Sequence, residues 1–224
     1  ESSRPGAAPV SLEQERRRVL PVLEAALALG RPVSIDTTKP ELMAQALALG
    51  VDIINDINAL NAPGAIDVVA AHRSCGVCLM HMQGDPQTMQ ARATYEDVVS
   101  QVLEVLAARV ETLRGRGIAA DRIVLDPGIG FGKTVEHNFE LLRRQRELLD
   151  LGHPLLAGWS RKSSIGAVTG REAGDRVAGS VAAALAAVLN GASIVRVHDV
   201  AATVDALKVW RAAGLPAVAS RDSQ

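Results

Sequence analysis

One stretch, Arg122-Ile-Val-Leu-Asp-Pro-Gly-Ile-Gly-Phe-Gly-Lys-Thr134, restricts the possible folds more than any other in the chain. Its apolar run reads as a buried parallel strand that ends on Asp126. Pro127 and the glycines at 128, 130 and 132 then force a turn before a helical pattern over 137–149. A carboxylate is therefore held at the C-terminal edge of a strand, where α/β folds place their ligands. The same design recurs at Asp36, Asn55, Met80, Ser160 and Arg196.

In chain order, Ser11 can cap a first helix, with Gln14 at the capping-box position and an apolar face that ends at Gly30. Strand patterns follow at 33–36, 51–57, 77–82, 122–126, 154–160 and 193–199. Helical patterns follow them at 39–49, 63–73, 95–116, 137–149, 175–190 and 201–213, and 214–224 reads as a frayed tail. The polar loop 83–94 is long enough to suggest that it covers a site. The strand cores are too continuously apolar for a sheet with one solvated face, so a parallel α/β architecture is expected. Six strands fall two short of a closed (β/α)8 TIM barrel. A single barrel domain spanning 1–224 is expected, with its first two strands upstream of Glu1. The alternative is an open doubly wound sheet, but no Gly-x-Gly-x-x-Gly follows the first strand.

Net charge is −1, and two Trp, one Tyr and two Phe are the whole aromatic content, which argues against a nucleic-acid partner and for a small molecule. No apolar run reaches the length of a membrane span, so a soluble protein without a membrane partner is expected. Cys75-Gly-Val-Cys78 has redox spacing, yet Cys78 falls inside a strand pattern, which favours two small buried residues and fits a reducing, cytoplasmic setting.

Gly132-Lys133-Thr134 resembles the end of a phosphate-binding P-loop, but the glycine required five positions earlier is Pro127. Asp36 and Asp126 could cap helices. An ionised carboxylate equally suits a guanidine-like edge that presents two N–H groups, and Pro127-Gly128 weakens capping at Asp126. Ser160-Arg161-Lys162-Ser163-Ser164 sets two cations at a helix start, where the dipole disfavours them unless an anionic or electron-rich partner is near. Arg196 and His198 share one face of the last strand. His81 reads as a satisfied core histidine, and no histidine pair has zinc-ligand spacing with a third ligand.

Taken together, Ser2-Ser3-Arg4-Pro5-Gly6-Ala7, Ser34-Ile35-Asp36-Thr37, Ile54-Asn55-Asp56, Met80-His81-Met82 with Pro86-x-Thr88-Met89-Gln90, the Asp126–Lys133 stretch, Ser160-Arg161-Lys162-Ser163 and Arg196-Val197-His198-Asp199 resemble the dihydropteroate synthase family. The resemblance runs from Ser2 to about Trp210. It implies a pterin-binding TIM barrel that condenses 6-hydroxymethyl-7,8-dihydropterin diphosphate with 4-aminobenzoate, giving 7,8-dihydropteroate and diphosphate. It implies Lys162, Arg196, His198 and Asp126 as catalytic residues. Asp36, Asn55, Met80, Asp126, Phe131, Gly132, Gly158, Lys162 and Arg196 would bind the pterin. Ser3, Arg4, Pro5, Lys162 and Ser163 would bind aminobenzoate, and Arg4, Asn55, Arg196 and His198 the diphosphate. Mg2+ is the implied cofactor, held in part by a family asparagine expected upstream of this chain, and a homodimer is the implied assembly. The competing readings are a pterin-dependent methyltransferase with a corrinoid partner, which needs neither Ser-Arg-Lys nor Arg-x-His, and a non-catalytic pterin-binding homologue.

Overall fold

A computed structural model describes residues 2, 6–84, 88–89 and 93–215. Six short parallel strands appear: β1 (Ser34–Asp36), β2 (Ile53–Asp56), β3 (Gly76–Met80), β4 (Ile123–Asp126), β5 (Leu156–Ala157) and β6 (Ile194–Val195). They pair in chain order, β1 through β4 in one sheet and β5 with β6 in another, and a parallel bridge between Leu125 and Leu155 carries β4 onto β5. A doubly wound sheet reverses its strand order at a switch point. Among the described strands there is no reversal, which is the order of a barrel wall.

The registers align the polar strand ends. Asp36 lies opposite Asn55, and Met80 opposite Asp126. Residues that are far apart in sequence therefore reach the same rim because parallel pairing brings every C-terminal edge to one side.

The helices are α1 (Leu12–Leu27), α2 (Pro40–Leu49), α3 (Ala65–Ala71), α4 (Val98–Gly115), α5 (Val135–Arg143), α6 (Ser163–Thr169), α7 (Val177–Leu189) and α8 (Val200–Ala212). Ser11 caps α1, its hydroxyl accepting from the Gln14 amide at 3.2 Å. In α4 the buried Val99, Val102, Leu106, Val110 and Leu113 recur every three to four residues, which turns one face onto the strands. Main-core residues Leu42, Val77, Leu79, Ile123 and Leu125 have essentially no exposed surface. Cys75 and Cys78 are free and buried, in line with the reading of both as small core residues. No helix among the described residues is long and apolar enough to cross a membrane.

Most elements are shorter than the sequence patterns, and three of the differences have a local cause. α4 starts at Val98 rather than Tyr95, because the Asp97 carboxylate accepts from the amides of Val99 and Ser100, both at 2.9 Å, and caps the helix there. The pattern over 137–149 divides into α5 and a 3-10 stretch, Gln145–Leu151. The break lets the buried Gln145 amide donate to the carbonyls of Ala187 and Asn190, at 2.9 and 3.1 Å. Finally, the turn after Ser160 contains α6, whose seven residues are too few to show a period.

Candidate active site

A cavity of about 670 Å³ opens at the C-terminal rim of the strands, lined among others by Asp36, Phe131, Gly158, Lys162, Arg196 and His198. Ser163, Ser160, Arg161, Met89 and Gly130 also reach it. Asp126 and Asn55 are nearly sealed from solvent. Ser3, Arg4 and Pro5, with Pro86 and Gln90 of the motif set, lie outside the described residues.

Asp126 ends β4, and its Oδ1 accepts from the Gly128 amide at 2.7 Å. Burial pushes its pKa upward, while Arg196, the same amide, Lys162 and Lys133 pull it back. The carboxyl is thus a dry acceptor surrounded by cations. Asn55 donates through Nδ2 to Asp36 Oδ1 at 2.7 Å, while its own buried Oδ1 has no hydrogen-bond partner. Such an acceptor costs roughly 1–3 kcal/mol when left unpaired, so a ligand N–H facing it gains correspondingly.

Lys162, immediately before α6, places Nζ 4.3 Å from the centroid of the Phe131 ring. The ring face is the electron-rich partner that a cation at this helix start requires. Burial lowers the Lys162 pKa to about 8, against the pull of Asp126. Arg161 has its own partner, donating from Nη2 to Asp199 Oδ1 at 2.6 Å and from Nε to Oδ2 at 3.1 Å.

Arg196 Nη1 donates to Asp36 Oδ2 at 2.8 Å, which spans the mouth from the last strand to the first. Gly158 lies beneath this contact: a Cβ there would stand at an ordinary 3.7 Å from Arg196 Nε and Nη2. Ser160 Oγ accepts from the His198 amide at 3.1 Å and lies 3.0 Å from His198 Nδ1. The Ser160 hydroxyl can donate to Nδ1 or accept from it; in the tautomer where it donates, Nε2 carries the hydrogen and can donate to an anion.

The loop after β4 is braced from below. Lys133 is buried, and its Nζ donates to the carbonyls of Gly128 and Phe131, both at 3.0 Å, and lies 2.9 Å from His81 Nδ1. With the His81 carbonyl at 3.4 Å as a longer fourth, these acceptors meet the three N–H bonds of a protonated amine. Burial nevertheless brings Lys133 down to about 7, and burial together with Lys133 takes His81 down to about 3, so His81 is neutral and accepts. This lysine therefore serves its own loop, which explains why the P-loop-like spelling carries no P-loop geometry. At Gly128 (φ +69°) a Cβ would overlap the His81 carbonyl oxygen, so only glycine lets the loop lie this close to β3.

The sequence-derived residues divide in the structure. Asp36, Phe131, Gly158, Lys162, Ser163, Arg196 and His198 line the cavity. Met80 is buried in a small apolar cluster with Met89 and Phe131, separate from the main core. Gly132 turns toward Gln83, and its carbonyl accepts from the Tyr95 hydroxyl at 2.9 Å, while Gly130 faces the cavity. Sequence reasoning includes Met89 within the Pro86–Gln90 motif but gives it no place in the site, whereas the structure sets it on the cavity wall. Nor does that reasoning single out the structural ties made by Lys133, Asn138 and Tyr95, which no local pattern announces.

The sequence pattern of pterin binding enzymes matches residues 1–198. A dihydropteroate synthase of Neisseria meningitidis serogroup B is 54% identical over 220 residues, covering 96% of this chain and 77% of that protein. The crystal structure of Burkholderia cenocepacia dihydropteroate synthase complexed with 7,8-dihydropteroate superposes with a TM-score of 0.88 at 54% identity, covering 96% of this chain and 79% of that one. The Xanthomonas albilineans enzyme with 4-aminobenzoic acid gives a TM-score of 0.91 at 50% identity, covering 96% and 78%. A TIM-barrel scaffold, a family match over residues 1–198 and this degree of identity lead to one conclusion: the chain belongs to the pterin binding enzymes, within the dihydropteroate synthase family.

Proposed function

We propose that this rim carries out the family's transferase reaction through its own residues as follows. Asp126 accepts from the 2-amino group and ring N–H of the pterin, Asn55 and Asp36 meet its remaining polar atoms, and Lys162 donates to the ring carbonyl and nitrogen. Phe131, Gly130 and Gly158 shape the slot with Met80 packed behind Phe131, Gly132 facing Gln83 instead, and the planar Arg196 guanidinium lies over the ring face. The observation that carries this reading is the pairing of a buried, cation-surrounded Asp126 carboxyl with the unpartnered Oδ1 of Asn55. A flat heterocycle rich in N–H donors satisfies both.

Arg196, His198 and Asn55, with Arg4, hold the diphosphate. As the pterin methylene C–O bond breaks, its electron pair leaves with diphosphate, and the cations offset the charge that develops on the departing oxygen. The aminobenzoate amine, placed by Lys162 and Ser163 with Ser3, Arg4 and Pro5, attacks the resulting cation with its lone pair. A C–N bond forms, and the amine releases one proton to solvent.

Magnesium would take its ligands mainly from diphosphate oxygens and water. Among the described residues no group of three His, Cys, Asp or Glu side chains comes together to hold it; when bound it would add positive charge beside that of Arg196 and His198. Exposed Val200 and Val204, four residues apart on α8, support a homodimer, and the free buried cysteines support a cytoplasmic setting.

The test is incubation of the chain with the pterin diphosphate and labelled 4-aminobenzoate. Dihydropteroate and diphosphate are expected in equal amounts. Pterin binding without either product would instead identify a non-catalytic homologue.

A further inference from the structure

Asn138 sits in the first turns of α5 and is almost completely buried. Its Oδ1 accepts from the Gly130 amide at 2.8 Å, and its Nδ2 donates to the Thr134 carbonyl at 2.8 Å and to Ser164 Oγ at 2.9 Å. The orientation follows from chemistry, since an N–H must meet the carboxamide oxygen and a carbonyl must meet its nitrogen. One side chain thus ties two segments that no strand pairing connects. The first is the glycine loop after β4, which carries Phe131. The second is α6 after β5, whose leading residues Lys162 and Ser163 face the cavity.

Each segment also has braces of its own. The glycine loop is held by Lys133, by the Tyr95 hydroxyl on the Gly132 carbonyl, and by Asp126 on the Gly128 amide. The residues before α6 are held by Arg176, whose Nη1 donates to the carbonyls of Arg161 and Lys162 at 3.0 and 3.4 Å. Those braces fix each half locally. The separation between the halves is set by contacts that cross between them: the Phe139–Trp159 ring contact at 5.3 Å, the β4–β5 bridge, the contact of Lys162 with Phe131, and the Asn138–Ser164 side-chain hydrogen bond.

We propose that Asn138 is a positioning residue that sets the aminobenzoate half of the site at reacting distance from the pterin half. The proposal rests on the assignment of those halves under Proposed function. Attack of the amine on the pterin methylene needs reacting atoms held about 3–3.5 Å apart, and a displacement of about 1 Å costs up to ~100-fold in rate. Loss of the tie therefore acts on turnover more than on the binding of either substrate.

The test uses Asn138→Ala, Ser164→Ala and the double variant, with kcat, both KM values, pterin affinity and Tm measured for each. Wild-type turnover is the separate check on the underlying assignment, because inactive wild-type protein would refute that reading whatever the variants do. In Asn138→Ala, kcat is expected to fall about 10- to 100-fold while pterin affinity, carried by Asp126 and Asn55 as well as Lys162, falls by a clearly smaller factor. Ser164→Ala removes only a hydroxyl and should lower kcat in the same direction, and the double variant should fall no further than Asn138→Ala alone. Independent, multiplying losses would overturn the proposal, as would normal kcat in Ser164→Ala. A merely structural role would lower Tm and the active fraction without this split, and that result also overturns it. If Asn138→Ala does not fold, Ser164→Ala alone decides through the same comparison of kcat with pterin affinity.

Discussion

Asp126 and Lys162 set the chemistry at the smallest scale. Replacing Asp126 with Asn exchanges a two-acceptor group for one acceptor and one donor, so pterin affinity should fall about 100-fold or more, as measured by titration calorimetry. Unchanged affinity would remove Asp126 from the site. Lys162 acts as a donor only when protonated, and burial holds its pKa at about 8. Turnover should therefore decline as pH rises through about 8. Lys162→Arg should move that alkaline limb upward, because a guanidinium stays charged. An alkaline limb at the same pH in both proteins would assign it to another group. Both residues were legible from the sequence, because a polar residue ending an apolar run or opening a helix is a local signal. The orphaned oxygen of Asn55 was not, since it depends on Nδ2 being committed to Asp36 across a strand pair.

Among the elements, the loop after β4 depends on a lysine that never reaches the cavity mouth. Lys133→Met leaves two loop carbonyls and a histidine nitrogen without their buried donor, and should lower stability by about 1–3 kcal/mol in urea denaturation while weakening pterin binding. Wild-type stability and affinity in that variant would refute the bracing role. His81 adds a pH term. Its folded pKa of about 3 lies below its ordinary value of 6.5, so the folded state binds fewer protons than the unfolded chain between those limits. Stability should therefore fall as pH drops from about 6.5 toward 3, and His81→Gln should flatten the slope over that window. The order of strands and helices could be read from turn residues and periodicity. The brace could not, because Lys133, His81 and Asn138 acquire their roles only when β3, β4 and α6 meet. The start of α6 could be read from the serines and cations at 160–164, but its extent could not, because seven residues span only about two turns.

At the level of the whole molecule, sequential parallel pairing brings side chains from Asp36 to His198 onto one rim. This is why motifs scattered over the chain could be read as one site before their geometry was known. The outer surface carries a different message. Val200 and Val204 share a face of α8 and are exposed, as are Leu189 and Val209. Val204→Glu should convert a dimer to monomer in sedimentation velocity, and an unchanged mass would exclude this face from self-association. Across the rim, the Arg196–Asp36 contact has another consequence. Both partners are partly open to water, so breaking it costs little, about 0–1 kcal/mol. In the proposed reading, an arriving pyrophosphoryl tail would recruit the guanidinium at little cost, whereas a neutral visitor would leave it on its carboxylate. So weak a latch would hold the arginine ready without hindering its release to a newcomer that brings negative charge.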